Sequence, residues 1–173
     1  NVILSKTFDN GTICAFEQSI VAHEAIADEL EKTFADNGVY FCTPKEKERL
    51  AAVAIDPKRH MMSAAVVGQS AVRIAKLADI KVPDNTKILA VRLKNVGPDE
   101  PLSREKLSPI LGFYRASDAE EGLELCMKIQ SFGGLGHTAV MYADDPAVIE
   151  SFQTRLSAGR ILVNSPSSHG AIG

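Results

Sequence analysis

Cys14 is the residue in this chain with the clearest capacity for chemistry, and a turn delivers it. Asn10-Gly11 lies just ahead of it, a strong turn dipeptide because both residues tolerate positive φ. A short apolar run from Ile20 follows. A turn that sets a thiol beside a strand can present a nucleophile, or it can bury a small hydrophobe, which is the commoner fate of a free cysteine. Two other stretches carry chemistry. Glu105-Lys106-Leu107-Ser108-Pro109 holds a carboxylate ahead of an apolar run. That carboxylate suits vicinal sugar hydroxyls, and the same pattern also describes a solvated charged loop. Gly133-Gly134-Leu135-Gly136-His137-Thr138 sets a histidine after a glycine cluster that permits close backbone approach or caps a helix. It is no phosphate-binding fingerprint, because it precedes a strand and does not open a helix. His137 is able to position or protonate a substrate, although a lone histidine is more often structural.

The remaining histidines and cysteines read as structural. His23 begins an amphipathic helix, His60 lies in a basic connector, and His169 sits in a Ser/Gly-rich tail. Cys42 and Cys126 occupy apolar strand and helix positions.

The elements that must position these groups alternate. Strands are expected over Gln18–Ala22, Val39–Cys42, Ala64–Val67, Lys87–Leu93, Ile110–Ala116, Thr138–Tyr142 and Arg160–Asn164. Between them fall five helices. The first covers Glu24–Asn37, with Ile26, Leu30 and Phe34 on one face. The second opens on the Thr43-Pro44-Lys45-Glu46 capping box. The third carries Ala71, Ile74, Ala75 and Ala78, the fourth begins at a Ser117-x-x-Glu120 box, and the fifth spans Pro146–Ser157. This alternation predicts an α/β fold, a three-layer α/β/α sandwich with a mostly parallel sheet. Sites in such sheets gather in loops beyond the strand ends, which singles out Asn10–Glu17, Asp99–Pro109, Gly133–His137 and Asn164–Gly173.

The 173 residues fit one domain, and 45% apolar with 24% charged residues is an ordinary globular balance. A net charge of −3 gives no long-range pull toward nucleic acid or an anionic membrane. No apolar run approaches the ~18 residues of a membrane helix. Three widely spaced cysteines without a CxxC pair argue against a disulfide framework or a zinc site, so no metal is expected and a reducing cytoplasm is the natural compartment. The chain opens without methionine, in helical character, and reads as an excised domain or processed fragment.

Taken together, the segments resemble one family. Lys6-Thr7-Phe8-Asp9-Asn10-Gly11, then Ile13-Cys14-Ala15, then Glu17-Gln18-Ser19 is similar to the nucleophile segment of the CoA-acylating aldehyde dehydrogenases. The likeness is strongest to the aldehyde dehydrogenase half of bifunctional aldehyde–alcohol dehydrogenases and to stand-alone relatives. Glu105–Pro109 resembles the family's glutamate loop, Gly134–Thr138 its glycine–histidine segment, and Arg160–Pro166 the segment leading into its C-terminal part. The likeness runs over nearly the whole chain in the same order.

The resemblance implies an aldehyde dehydrogenase catalytic domain over residues 1–173. Cys14 would attack the aldehyde, a thioester would form after hydride transfer to NAD (or NADP), and coenzyme A would carry off the acyl group, reversibly. Glu105 would hold the nicotinamide ribose, with Leu107 where hydrolytic relatives place a phenylalanine, and His137 would stand near the thiol. The partners implied are a small aldehyde or acyl-CoA, the cofactor-binding domain of the same protein, and a second copy in a homo-oligomer. The expected location is the cytoplasm, or a bacterial microcompartment. Phe16 departs from the small residue expected there; it narrows the aldehyde pocket or packs outward. The family's N-terminal dinucleotide-binding domain is absent from the chain, so the isolated domain is expected to be inactive. The competing readings are a hydrolytic aldehyde dehydrogenase and a silent assembly domain.

Overall fold

Ile88–Arg92 (β5) and Ile110–Ala116 (β6) contain almost no polar positions, so both faces of each strand need cover. They pair in parallel at the centre of a four-stranded sheet. Ser19–His23 (β1) lies outside β6 and Val39–Phe41 (β2) outside β5, in the order β1-β6-β5-β2, with every pairing parallel. The structure is a computed structural model and describes residues 1–172.

Alternation along the strands divides the core between two faces. Leu89, Val91, Ile110 and Tyr114 pack with Leu50 of α3 (Pro44–Ala54) and Ile74 of α4 (Ala71–Leu77). Ile88, Ala90 and Leu111 pack on the other side with Phe34 of α2 (Glu24–Asp36) and with Val2 and Ile3 of α1 (Val2–Thr7). This is the three-layer α/β/α arrangement that the alternating pattern predicts.

The sheet is smaller than seven strands, however. Ile55–Asp56 (β3) and Met61–Met62 (β4) form a separate antiparallel hairpin. Thr138–Met141 (β7) and Arg160–Val163 (β8) form a separate parallel pair. That pair packs its own cluster with Leu123 of α5 (Ala119–Gly133), Phe152 of α6 (Pro146–Arg155) and Leu156.

Several local expectations need correction. Ala64–Val67 is no strand. Val66 is buried, but the chain turns around it, with Val66 N–H donating to Ser63 and Gln69 N–H to Val66, so no ladder forms. In α2 the buried stripe is Ala27, Glu31 and Phe34, and Ile26 is 54% exposed. Glu31 takes a place on that stripe because Arg92 and Arg115 meet its carboxylate at the sheet rim. The Thr43–Glu46 capping box forms in both directions. The second cap is shifted by one residue: Asp118 accepts from Glu121 N–H at 2.9 Å, while Ser117 N–H donates to the Glu121 carboxylate at 2.7 Å. The Ser/Gly-rich tail contains a helix, α7 (Ser167–Ile172). Among the described residues no helix is long and apolar enough to cross a membrane.

Candidate active site

After α1, Asp9, Asn10 and Gly11 take positive φ in succession (47°, 51° and 71°). Asp and Asn are the non-glycine residues that tolerate this region best. Thr12 Oγ1 donates to the Asp9 carboxylate at 2.6 Å, and Asn10 Nδ2 donates to the Gly68 carbonyl at 3.0 Å. Gly11 is required sterically, since a Cβ there would stand 2.8 Å from the Ser108 carbonyl oxygen. The left-handed run turns the chain sharply into a second turn, closed by Phe16 N–H on the Ile13 carbonyl at 3.0 Å. Cys14 sits within that turn and is exposed.

The other two thiols are covered. Burial pushes Cys42 up to about 12, with the Glu46 carboxylate adding to the effect, and pushes Cys126 up to about 11. Cys14 is the accessible thiol. Phe16 does not pack outward: it is 3% exposed and meets the Phe8 ring edge-on at a centroid distance of 5.9 Å.

The glutamate loop is built around a buried lysine. Lys106 Nζ donates to the carbonyls of Leu102 at 2.9 Å and Arg104 at 2.7 Å, folding the loop over its own side chain. Lys106 N–H donates to Gln18 Oε1 at 3.0 Å. With Lys106 turned inward, Glu105 and Leu107 on either side are half-buried. Leu107 has φ 37°, a costly conformation for a leucine and one that clusters at functional sites. Its carbonyl accepts from Gly68 N–H at 3.4 Å, so Gly68 bridges Asn10 of the nucleophile loop to Leu107 of the glutamate loop.

The glycine–histidine segment joins less tightly. The last turn of α5 places Phe132 beneath the Arg104 guanidinium, 4.2 Å from the ring centroid. Beyond it His137 is exposed, and its carbonyl accepts from Arg160 N–H at 3.1 Å. Among the described residues no hydrogen bond connects the His137 ring to Cys14 or Glu105. The structure thus joins the Cys14 and Glu105 segments directly and brings the His137 segment to the Glu105 loop through one stacking contact. All three precede strands, so the cluster lies at the amino ends of β1 and β6, whereas ligand sites of open parallel sheets usually lie at the carboxyl ends.

Beneath this loop cluster lies a set of buried charges that sequence reasoning missed. Lys6 is fully buried and its Nζ has no hydrogen-bond partner. Burial lowers its pKa to about 7, against the attraction of Glu17 and Glu105. Burial raises Glu17, opposed by backbone and hydroxyl groups of Ser167 and by Lys6, yet neither Glu17 oxygen closes a hydrogen bond of ordinary geometry. The one sequence signal was a lysine following the apolar run Val2-Ile3-Leu4 in α1.

The chain is 43% identical over 176 aligned positions to the bifunctional aldehyde-alcohol dehydrogenase of Escherichia coli K12, a match covering all of this chain and 20% of that protein. Its full length matches a stretch of the acylating aldehyde dehydrogenases. The acetylating succinate-semialdehyde dehydrogenase of Clostridium kluyveri is 31% identical over 169 positions, 97% of this chain and 37% of that enzyme. The crystal structure of an acetylating aldehyde dehydrogenase from Geobacillus thermoglucosidasius superposes with a TM-score of 0.95 at 40% identity, covering 99% of this chain and 38% of that one. No protein-family model matches the chain. The chain therefore spans about a fifth of the bifunctional relatives and under two-fifths of the stand-alone ones.

Proposed function

We propose that this chain is the nucleophile-bearing catalytic domain of a nicotinamide-dependent aldehyde dehydrogenase that passes its acyl group to coenzyme A. The observation that carries this reading is the placement of Cys14, the exposed thiol of three, on a segment bonded through Gln18 to the Glu105 loop. As a thiolate, Cys14 forms a C–S bond to the aldehyde carbon, and the carbonyl π electrons move onto oxygen. The Cys14 backbone N–H, which donates to no backbone carbonyl among the described residues, is placed to stabilise that oxyanion.

A nicotinamide dinucleotide, when bound, supplies the hydride acceptor that turns the adduct into a thioester. The residues fit such a group: the half-buried Glu105 carboxylate accepts no hydrogen bond among the described residues and is free to take two ribose hydroxyls. Leu107 offers an apolar surface beside it. The coenzyme A thiol, deprotonated by the exposed His137, attacks the thioester carbon, and Cys14 departs as thiolate. Reversal of these steps reduces acyl-CoA.

Similar proteins support this chemistry. An engineered glycolyl-CoA reductase, 25% identical with a TM-score of 0.87, was solved with bound NADP+. A propionaldehyde dehydrogenase of a Clostridium phytofermentans microcompartment is 28% identical with a TM-score of 0.89. In this reading the dinucleotide-binding domain and the second oxyanion donor come from elsewhere in the same protein, which works as a homo-oligomer in the cytoplasm or a microcompartment.

The test is an assay of the whole protein with aldehyde, NAD or NADP, and with or without coenzyme A. Sustained nucleotide reduction is expected only with coenzyme A. Equal turnover without it identifies a hydrolytic enzyme, and no turnover under any condition identifies an assembly domain; either overturns the proposal.

A further inference from the structure

We infer that Lys6 is a positioning residue for Cys14 and acts together with Glu17, the two setting unpartnered groups of opposite sign at the base of the nucleophile loop. The inference rests on Cys14 being the nucleophile, as proposed above. Lys6 is the last but one residue of α1, and Glu17 lies two residues before β1. Everything between them is the loop that carries the thiol, so these two side chains form its two stems.

Neither stem is satisfied by ordinary hydrogen bonds. Lys6 Nζ and both Glu17 carboxylate oxygens lack a partner, as do the nearby hydroxyls of Ser108 and Ser167. Lys6, Ser108 and Ser167 are all at least 99% buried, at 0%, 0% and 1% exposure. An unsatisfied buried ammonium is expensive, and replacing a buried ion pair by apolar residues often stabilises a protein. On stability grounds alone, an apolar side chain would serve better at position 6.

The surrounding charges identify what the ammonium is set against. Glu17 on the other stem and Glu105 of the glutamate loop attract it, while Lys6 and Lys106 repel each other. Tyr142, at the end of β7, borders Glu17. Ser167 of α7 stands beside Glu17, and Ser5 of α1 donates to Ser168 Oγ at 3.1 Å. The Lys6–Glu17 pair is therefore where the nucleophile loop, the glutamate loop and the C-terminal helix meet. A shift at the stems displaces the thiol at the tip, with no contact between Lys6 and substrate.

The experiment measures alkylation of Cys14 by iodoacetamide in the whole protein, from about pH 6 to about pH 9, with Cys42 and Cys126 as internal controls read by mass spectrometry. Lys6→Met and Glu17→Gln each leave one buried group without its counterpart. Each should slow Cys14 alkylation near neutral pH roughly tenfold and alter its dependence on pH. The double substitution Lys6→Met with Glu17→Met leaves no ionisable group on either stem and should recover most of the loss. If both single substitutions lower the melting temperature but leave the Cys14 rate and pH profile unchanged, Lys6 is structural only and the inference is overturned. Should Lys6→Met fail to fold, Glu17→Gln decides by the same criterion. Alkylation requires no aldehyde chemistry, so coenzyme A-dependent turnover of the unmodified protein judges the proposed function separately.

Discussion

The backbone N–H of Lys106 donates to Gln18 Oε1 at 3.0 Å, and this bond fastens the loop that presents Glu105 to the segment that presents Cys14. Gln18→Leu removes the acceptor and leaves a largely buried N–H unsatisfied, a loss of about 1–3 kcal/mol. Urea unfolding should show that loss. Steady-state kinetics of the whole protein should show the Michaelis constant for the nicotinamide nucleotide rising more than that for the aldehyde. An unchanged nucleotide constant would mean that Glu105 keeps its place without this bond.

The three thiols should react in a fixed order. Cys14 is exposed, whereas burial holds Cys42 and Cys126 protonated, up to about 12 and about 11. Limited iodoacetamide treatment of the folded protein, followed by peptide mass spectrometry, should label Cys14 first and leave the other two largely unmodified until the protein unfolds. Cys14→Ala should abolish turnover while leaving the melting temperature within a few degrees.

Gly11→Ala should be among the most damaging single-methyl changes in the chain. The residue has φ +71°, and its new Cβ would meet the Ser108 carbonyl at 2.8 Å. Backbone strain of this kind costs on the order of 1–3 kcal/mol, and relief requires the nucleophile loop and the glutamate loop to separate. Turnover should therefore fall much further than stability. A variant with lowered melting temperature and normal turnover would contradict this.

Stability should rise with pH just above neutrality. Free lysine titrates at 10.5, while burial lowers folded Lys6 to about 7 despite the pull of Glu17 and Glu105. Between those values the unfolded chain binds more protons than the folded one, so the free energy of unfolding increases with pH. Lys106, lowered well below its usual range by burial and by Lys6, acts in the same direction. From about pH 7 to about pH 8.5 the urea midpoint should climb, by up to about 1.4 kcal/mol per pH unit for each group. Lys6→Met should remove one share. Glu17, raised by burial, has the opposite sign at acidic pH, where its folded form holds a proton that the unfolded form releases.

Much of this architecture was legible because local signals coincided with tertiary demands. The continuous apolar runs of β5 and β6, the Thr43 capping box and the turn at Asn10-Gly11 each have a local cause that the fold preserves. Ala64–Val67 failed because an apolar run becomes a strand only when a neighbouring edge accepts it, and Val66 is buried in the core between helices and sheet without pairing to an edge. The division of the strands into separate sheets was invisible for the same reason, since pairing partners are not encoded locally. At the candidate site, residue type and turn chemistry drew notice to Cys14 and Glu105 but left burial and a solvated loop as the commoner readings, and only the family resemblance gave them roles. Gln18, Gly68 and Lys6 could not be singled out, because their roles depend on segments remote in sequence: Gln18 meets Lys106, and Gly68 meets both Asn10 and Leu107.

Cys14 and Glu105 sit on the lead-ins to two adjacent parallel strands, in the register Ser19 to Gly112. The long excursion from the end of β2 through the β3–β4 hairpin to β5 leaves the sheet and returns to it without setting that spacing. Insertions at the exposed hairpin turn around Lys58–His60 can accordingly accumulate while the two lead-ins stay one strand apart, about 4.8 Å. The spacing between the two lead-ins is thus set by one strand pairing alone, and the detour between them is free to change length at its outer surface.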